Sequence, residues 1–253
     1  MNIVILGCGT STGVPVIGCH CEVCSSPNPL DKRTRSSLLI RTNGRNILID
    51  TSTDLRAQAL ANGVERIDAV LYTHPHADHI HGIDDLRAFN LSNDNAAIPC
   101  YGSQRTVSRI KSTFEYIFKD DGRDGWKPNL SIQAVEGPFE LFGENVAPVP
   151  VMHGQATIFG WRVGQLAYVT DCSEIPEGSF EALRGAEILV LGALRHKPHP
   201  THFTISQALE AAGKIGAPRT IFTHLSHNVL YGRDGKTLPP GVEFAYDGLT
   251  AEI

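Results

Sequence analysis

The sequence predicts an α/β protein in which β-sheets pack on one another and helices cover their outer faces. Three observations lead there. Short apolar runs bounded by Gly, Pro and Asn come first in succession, at Val4–Leu6, Ser37–Arg41 and Asn46–Asp50. Later strand-like runs at Ile188–Leu191 and Thr220–Thr223 flank a segment of helical period, Ile205–Ile215. Hydrophobic residues make up 42% of the 253 and charged residues 19%, which supplies a sizeable core.

Val4–Leu6 reads as a strand that runs into a small-residue loop, Gly7-Cys8-Gly9-Thr10-Ser11-Thr12-Gly13. Residues 14–36 are rich in Pro, Gly, Cys and Ser and show no periodicity, and a loop of that length needs something to pin it. Asn43-Gly44 marks a hairpin between the next two strands. Leu55, Ala59 and Leu60, with Gly63 behind them, form a short helix and its stop. Asp68–Tyr72 is a buried strand, and Leu86 and Phe89 suggest a helix after Gly82. Val107, Ile110, Phe114 and Ile117 recur at spacings of three and four, which predicts one helix over 104–118. Residues 130–170 read as four or five strands, and Ser179–Arg184 as a brief helix. Ile205–Ile215 is a helix with Thr204 as its N-cap. No repeat or linker is visible, so residues 1–253 read as a single domain.

The net charge of −5 leaves no basic surplus for nucleic acid. Met1–Gly7 lacks the charged start and long apolar stretch of a signal peptide. No apolar run approaches the roughly 18 residues of a membrane helix. The expectation is a soluble cytoplasmic protein that does not engage membranes.

The chemistry concentrates in Thr73-His74-Pro75-His76-Ala77-Asp78-His79, directly after a strand. His74 and His76, two apart, can converge on one ion while the intervening residue points away. Asp78 and His79 lie on the following turn, where they can face a second ion. Imidazole and carboxylate donors suit zinc, manganese or iron, and a set without cysteine leaves open positions, as catalytic sites do. His153, Asp171 and His224 each follow an apolar run, at the strand ends where sheet proteins gather their sites. A carboxylate has two oxygens, so Asp171 can bridge.

A second cluster, Cys19-His20-Cys21-Glu22-Val23-Cys24, sits in the unpinned loop. Three thiolates need a fourth ligand to close a tetrahedral zinc site. His227, in His224-Leu225-Ser226-His227, is the first candidate and His20 the rival.

The pattern His-x-His-x-Asp-His, followed by a distant His, Asp and His at strand ends, resembles the metallo-β-lactamase superfamily. The resemblance implies a four-layer αββα sandwich. It implies that His74, His76 and His153 hold one metal, that Asp78, His79 and His224 hold the other, and that Asp171 bridges them. Two such ions acidify a shared water and neutralise charge on a phosphoryl group, so Asp78 counts among the catalytic residues. Gly18–Cys24 together with His224–His227, and Gly7-x-Gly9-Thr10 with Gly13-Val14-Pro15, narrow the likeness. They resemble the cyclic phosphodiesterases of the bacterial carbon–phosphorus lyase pathway, which open phosphoribosyl 1,2-cyclic phosphate. That likeness implies two manganese or zinc ions, one structural zinc, a small phosphodiester substrate and a homodimer. It also implies a late histidine as general acid. Of His196, His199 and His202, the last matches best, just before the helix at Ile205. An RNA-processing nuclease and a non-hydrolytic cofactor-biosynthesis protein stand as alternatives.

Weaker signals remain. No helix can open after Gly7-x-Gly9, so the loop reads as a close backbone approach to the site and not as a dinucleotide loop. Asp50 is placed to hold a ligand histidine, Arg87 to meet a substrate phosphate, and Cys8, Cys100 and Cys172 to pack as small core residues.

Overall fold

Most central strands are apolar on both faces, and the architecture shows why: each sheet is covered on both sides. The computed structural model describes residues 1–119 and 126–253. One sheet holds β1 (Asn2–Gly7), β2 (Ser37–Thr42), β3 (Arg45–Ile49), β4 (Ala69–Leu71), β5 (Ile98–Gly102), β6 (Leu130–Ala134) and the last strand, β14 (Thr250–Glu252). Its order is β14-β1-β2-β3-β4-β5-β6. The other holds β7 (Phe139–Leu141), β8 (Glu144–His153), β9 (Ala156–Val163), β10 (Leu166–Val169), β11 (Ile188–Gly192), β12 (Arg219–Thr223) and β13 (Val242–Phe244), side by side in chain order. Helices α1 (Leu55–Ala61), α2 (Ala77–Ile80), α3 (Leu86–Leu91), α4 (Gln104–Thr113) and α5 (Glu115–Phe118) belong to the first half. α6 (Glu177–Leu183) and α7 (Ile205–Ile215) belong to the second.

The alternation along each strand sorts residues into three cores. Ile3, Ile5, Leu38, Ile40, Ile47 and Ile49 meet Trp161, Val163, Tyr168 and Val190 between the sheets. Val4, Leu39, Leu48 and Val70 turn outward against Leu55, Leu86, Val107 and Ile110 of the first-half helices. Ala167, Val169, Leu189 and Leu191 turn outward against Phe180, Leu183, Ile205 and Ala208. This is the four-layer αββα sandwich.

The two sheets share one pairing plan. Across the first, three antiparallel pairings are followed by three parallel ones, and the second repeats this from β7 to β13. The strands that deliver the site residues (β3, β4, β8, β10 and β12) do so at their C-terminal ends.

Two sequence expectations need correction. The helix over 104–118 is broken: Phe114 leaves helical geometry at φ −115°, ψ 44°, closing α4 and opening α5. Its ring is buried and packs edge-on against His81, so tertiary packing overrides the helical period. Strands β5, β13 and β14 were not anticipated. β5 carries Pro99, and the other two are three residues long, too short for alternation to speak. The stretch 130–170 does hold five strands. α7 starts where expected, with reciprocal hydrogen bonds between Thr204 and Gln207 closing a capping box. No helix among the described residues is long and apolar enough to cross a membrane.

Candidate metal centres

The strand β4 ends at Leu71, and His76 caps the single turn of α2, which swings Asp78 and His79 back toward His74. β8 brings His153, and the turns after β10 and β12 bring Asp171 and His224. His74, His76, His153 and Asp171 offer ligand atoms all within 4.8 Å of one another, and so do Asp78, His79, Asp171 and His224. Asp171 divides its oxygens between the two groups. Oδ2 lies 3.7 Å from His74 Nε2, while Oδ1 lies 3.5 Å from His79 Nε2 and 3.0 Å from His224 Nδ1. All seven positions named from the sequence are therefore brought together.

Two atoms test whether this set fits metal. Asp78 Oδ2 and His79 Nε2 are buried without a hydrogen-bond partner, and they face each other at 3.2 Å. Buried polar atoms are rarely left so. A divalent cation would satisfy both, and the donor chemistry suits zinc, manganese or iron.

Neighbouring groups orient the ligands. Asp50, fully buried, accepts from Thr73 N at 2.8 Å and Thr73 Oγ1 at 2.7 Å. It also takes the Nδ1–H of His79 at 2.8 Å, which turns Nε2 toward the cluster. His74 Nδ1 bonds Thr73 Oγ1 at 3.0 Å, and His153 Nδ1 donates to the Thr201 carbonyl at 2.8 Å. Ser36 Oγ links His224 Nδ1 to the Gly9 carbonyl. That corrects the reading of the glycine loop. A Cβ on Gly7 or Gly9 would collide with the backbone of residues 33–35, so the close approach is to that segment; the loop reaches the site through Ser36 and through the Leu225 amide, which donates to the Cys8 carbonyl. Asp50, Asp171 and His224 hold φ of 62°, 55° and 57°, left-handed values that are uncommon outside glycine and concentrate at functional sites.

Charge is arranged accordingly. Burial opposes ionisation at Asp171, yet the imidazoles of His224 and His79 hold its carboxyl well below the usual range. Burial likewise opposes the charge on His79, but Asp171, Asp78 and Asp50 raise it well above the ordinary histidine value. His74 is pushed well down by burial and by the charge of His79.

His202 sits half-buried beside this cluster. Its ring centroid is 4.8 Å from that of His153 and 5.0 Å from that of His224, nearly parallel to the latter. Burial pushes its pKa down to about 3. His199 stands outside it, 5.0 Å away ring to ring, and His196 is exposed near Asp234.

The second cluster also closes. His227 Nδ1 lies 3.4 Å from Cys19 Sγ, 3.8 Å from Cys21 Sγ and 3.6 Å from Cys24 Sγ. His20 is exposed and outside this group. The amides of Val16 and Cys24 donate to the sulfurs of Cys24 and Cys21. A buried ion pair that sequence reasoning missed ties this loop to the one bearing His227. Asp31 pairs with Arg33, which donates to the carbonyls of Ser226 and Val229. Cys8, Cys100 and Cys172 pack in the three cores, one in each.

A cleft of about 650 Å³ opens over His74, His76 and His153. Arg87 does not line it; it faces a separate groove with Arg56, Leu60 and Asp85. Arg105 and Arg109 of α4 line the cleft instead. Their spacing of four on one helix face was the signal available in the sequence.

Residues 45–225 match the beta-lactamase superfamily domain. A solved structure described as a new diphosphatase from the PhnP family is 44% identical, with a TM-score of 0.93 over 100% of this chain and 97% of that one. An octanoyltransferase of Porphyromonas gingivalis is 42% identical over 258 residues, 100% of this chain and 52% of that protein. The chain thus spans about half the length of that relative. Coenzyme PQQ synthesis protein B of Methylorubrum populi is 38% identical over 225 residues, 75% of this chain and 72% of that protein. On its fold, its matched domain and its full-length likeness, the chain belongs to the metallo-β-lactamase superfamily and, within it, to the PhnP family.

Proposed function

We propose that this chain is a dinuclear metal-dependent phosphodiesterase acting on a small cyclic phosphate such as phosphoribosyl 1,2-cyclic phosphate. The observation that carries the reading is Asp171, whose two oxygens serve two adjoining ligand groups beneath an open cleft. His74, His76 and His153 would hold one metal, Asp78, His79 and His224 the other, with Asp171 shared; manganese and zinc both suit these donors. Bound divalent metal supplies an acidified water and neutralises charge on a phosphoryl group. The chain's own residues do the rest. Asp50 keeps His79 in the ligating tautomer. His202, beside His153 and His224, protonates the leaving oxygen once an anionic substrate next to it favours the imidazolium. Cys19, Cys21, Cys24 and His227 hold a structural zinc that pins the 14–36 loop.

The relative described as a diphosphatase favours a second reading, cleavage of a P–O–P anhydride in the same site. The PQQ synthesis relative speaks for a role in cofactor biosynthesis, and a non-hydrolytic role of that kind predicts no phosphodiester turnover. The net charge of −5 weighs against an RNA-processing nuclease.

The test is turnover of bis(p-nitrophenyl) phosphate and a ribose cyclic phosphate by metal-loaded protein, with Asp78→Ala alongside. Turnover that disappears in the variant is expected. Metal-loaded wild type that cleaves no phosphodiester overturns the proposal.

A further inference from the structure

The segment from Arg195 to His202 follows β11 and contains Pro198 and Pro200, two residues with restricted φ and no amide hydrogen to donate. It forms neither helix nor strand, and His196, Lys197 and Pro198 at its tip are exposed. The base of the loop is closed by backbone bonds. The Leu194 amide donates to the Phe203 carbonyl at 3.0 Å, the Phe203 amide to the Cys172 carbonyl at 2.7 Å, and the Ile205 amide to the Arg195 carbonyl at 3.0 Å. Toward the tip a side chain takes over. Arg195 turns back on its own loop and donates from Nε to the Lys197 carbonyl at 3.1 Å and from Nη2 to the Pro198 carbonyl at 3.0 Å. Arg35, Arg45 and Arg219 rest on carboxylates instead. Two nitrogens of one planar fork meet two successive carbonyls, a contact that a lysine ammonium reproduces only in part.

The same loop presents two groups to the His/Asp cluster. The Thr201 carbonyl accepts from His153 Nδ1 at 2.8 Å, and the next residue, His202, sets its ring beside those of His153 and His224. The fit is close: a Cβ on Gly154, in the β8–β9 turn, would stand 2.9 Å from Thr201 Cγ2. Arg195 is not among the described residues that line the cleft.

We propose that Arg195 is a positioning residue. By tying down the carbonyls of Lys197 and Pro198, it fixes the loop so that His202 meets the leaving oxygen and Thr201 orients His153. The inference rests on the proton-donor reading of His202 for its kinetic effect, but not for its effect on the loop. As the P–O bond breaks, a proton passes from His202 to the departing sugar alkoxide. Departing p-nitrophenolate is a stable anion and needs no proton. A misplaced donor is therefore felt with the first leaving group and hardly with the second.

The experiment measures kcat and KM for a ribose cyclic phosphate and for bis(p-nitrophenyl) phosphate in metal-saturated wild type, Arg195→Met, Arg195→Lys and His202→Gln. Arg195→Met is expected to lose about 10–100-fold in kcat on the cyclic phosphate and less than about threefold on the nitrophenyl ester, with KM little changed. Arg195→Lys recovers part of the loss, and His202→Gln shows the same split between substrates. Unchanged kcat on the cyclic phosphate in Arg195→Met, or equal losses on both substrates where His202→Gln separates them, overturns the proposal. If His202→Gln shows no split, the proton-donor reading fails, and hydrogen exchange of the Phe203 amide decides the loop claim without turnover. Exchange about tenfold or more faster in Arg195→Met, at unchanged global stability, supports the claim. Unchanged protection refutes it.

Discussion

The His/Asp cluster draws four of its seven candidate ligands from the six residues His74–His79, whereas the Cys/His cluster takes three from an irregular loop and its fourth from His227, 203 positions beyond Cys24. Six of the seven ligands in the first are buried; in the second only Cys24 is. The first stands at the ends of strands locked into three cores, with Asp50, Thr73, Ser36 and the Thr201 carbonyl orienting its rings. The second has little core beneath it: Val14, Val23 and Cys24 are the buried members of its hydrophobic cluster. At the His/Asp centre the fold presents the ligands, and left-handed backbone at Asp50, Asp171 and His224, at a cost of about 1–3 kcal/mol each, is sustained by the sheets around it. At the Cys/His cluster, on the proposed reading, a bound zinc organises the loop. The two meet in one tetrapeptide, since His224 serves the first and His227 the second.

The largest effect is expected from Asp171→Asn, which removes the shared carboxylate. Phosphodiester turnover should fall by roughly 10³-fold or more, the loss of several kcal/mol of charge stabilisation, with the Cys/His metal retained. A variant that keeps turnover would show that the two ligand groups do not act together. His202→Gln should lower kcat by about 10²-fold while leaving metal content as in wild type. If its metal content falls instead, His202 supports ligands and does not donate a proton. Asp50→Asn should weaken metal affinity or activity by about 10–100-fold, and titration of metal against turnover should restore part of the rate. The smallest effect on turnover is expected from Cys24→Ser. Its Tm should drop by roughly 5–15 °C, as a loss of a few kcal/mol gives at this length. Its kcat at low temperature should fall far less than in Asp50→Asn. A collapse of kcat without a change in Tm would make the Cys/His centre part of the active site and erase the distinction.

Much of this could be read from the sequence because β-strands buried on both faces are continuous apolar runs. Their ends therefore stand out, and Asp171 and His224 fall there, while His153 ends β8, whose burial alternates. The His-x-His-x-Asp-His segment is local and declares itself. His20 would need a sharp backbone bend to share an ion with the cysteines beside it, and in the structure His227, not His20, lies among the three sulfurs. What escaped was tertiary. Phe114 breaks a helix because its ring packs against His81, a contact with no local trace. The Asp31–Arg33 pair is costly to bury alone and makes sense only once the carbonyls of Ser226 and Val229 arrive from far along the chain. Arg87 suits a phosphate by its chemistry alone, but α3 and α4 face different grooves, and Arg105 and Arg109 are the arginines that line the cleft.

On the proposed reading, one centre is dinuclear and does the chemistry while the other holds the loop. Elemental analysis of wild type, Asp171→Asn and Cys24→Ser, with turnover measured on the same preparations, tests it most directly. Three metals per wild-type chain are predicted, with turnover following the pair that Asp171→Asn disturbs and not the one that Cys24→Ser removes. A single metal per wild-type chain, lost in Cys24→Ser and accompanied by no turnover, would contradict the account.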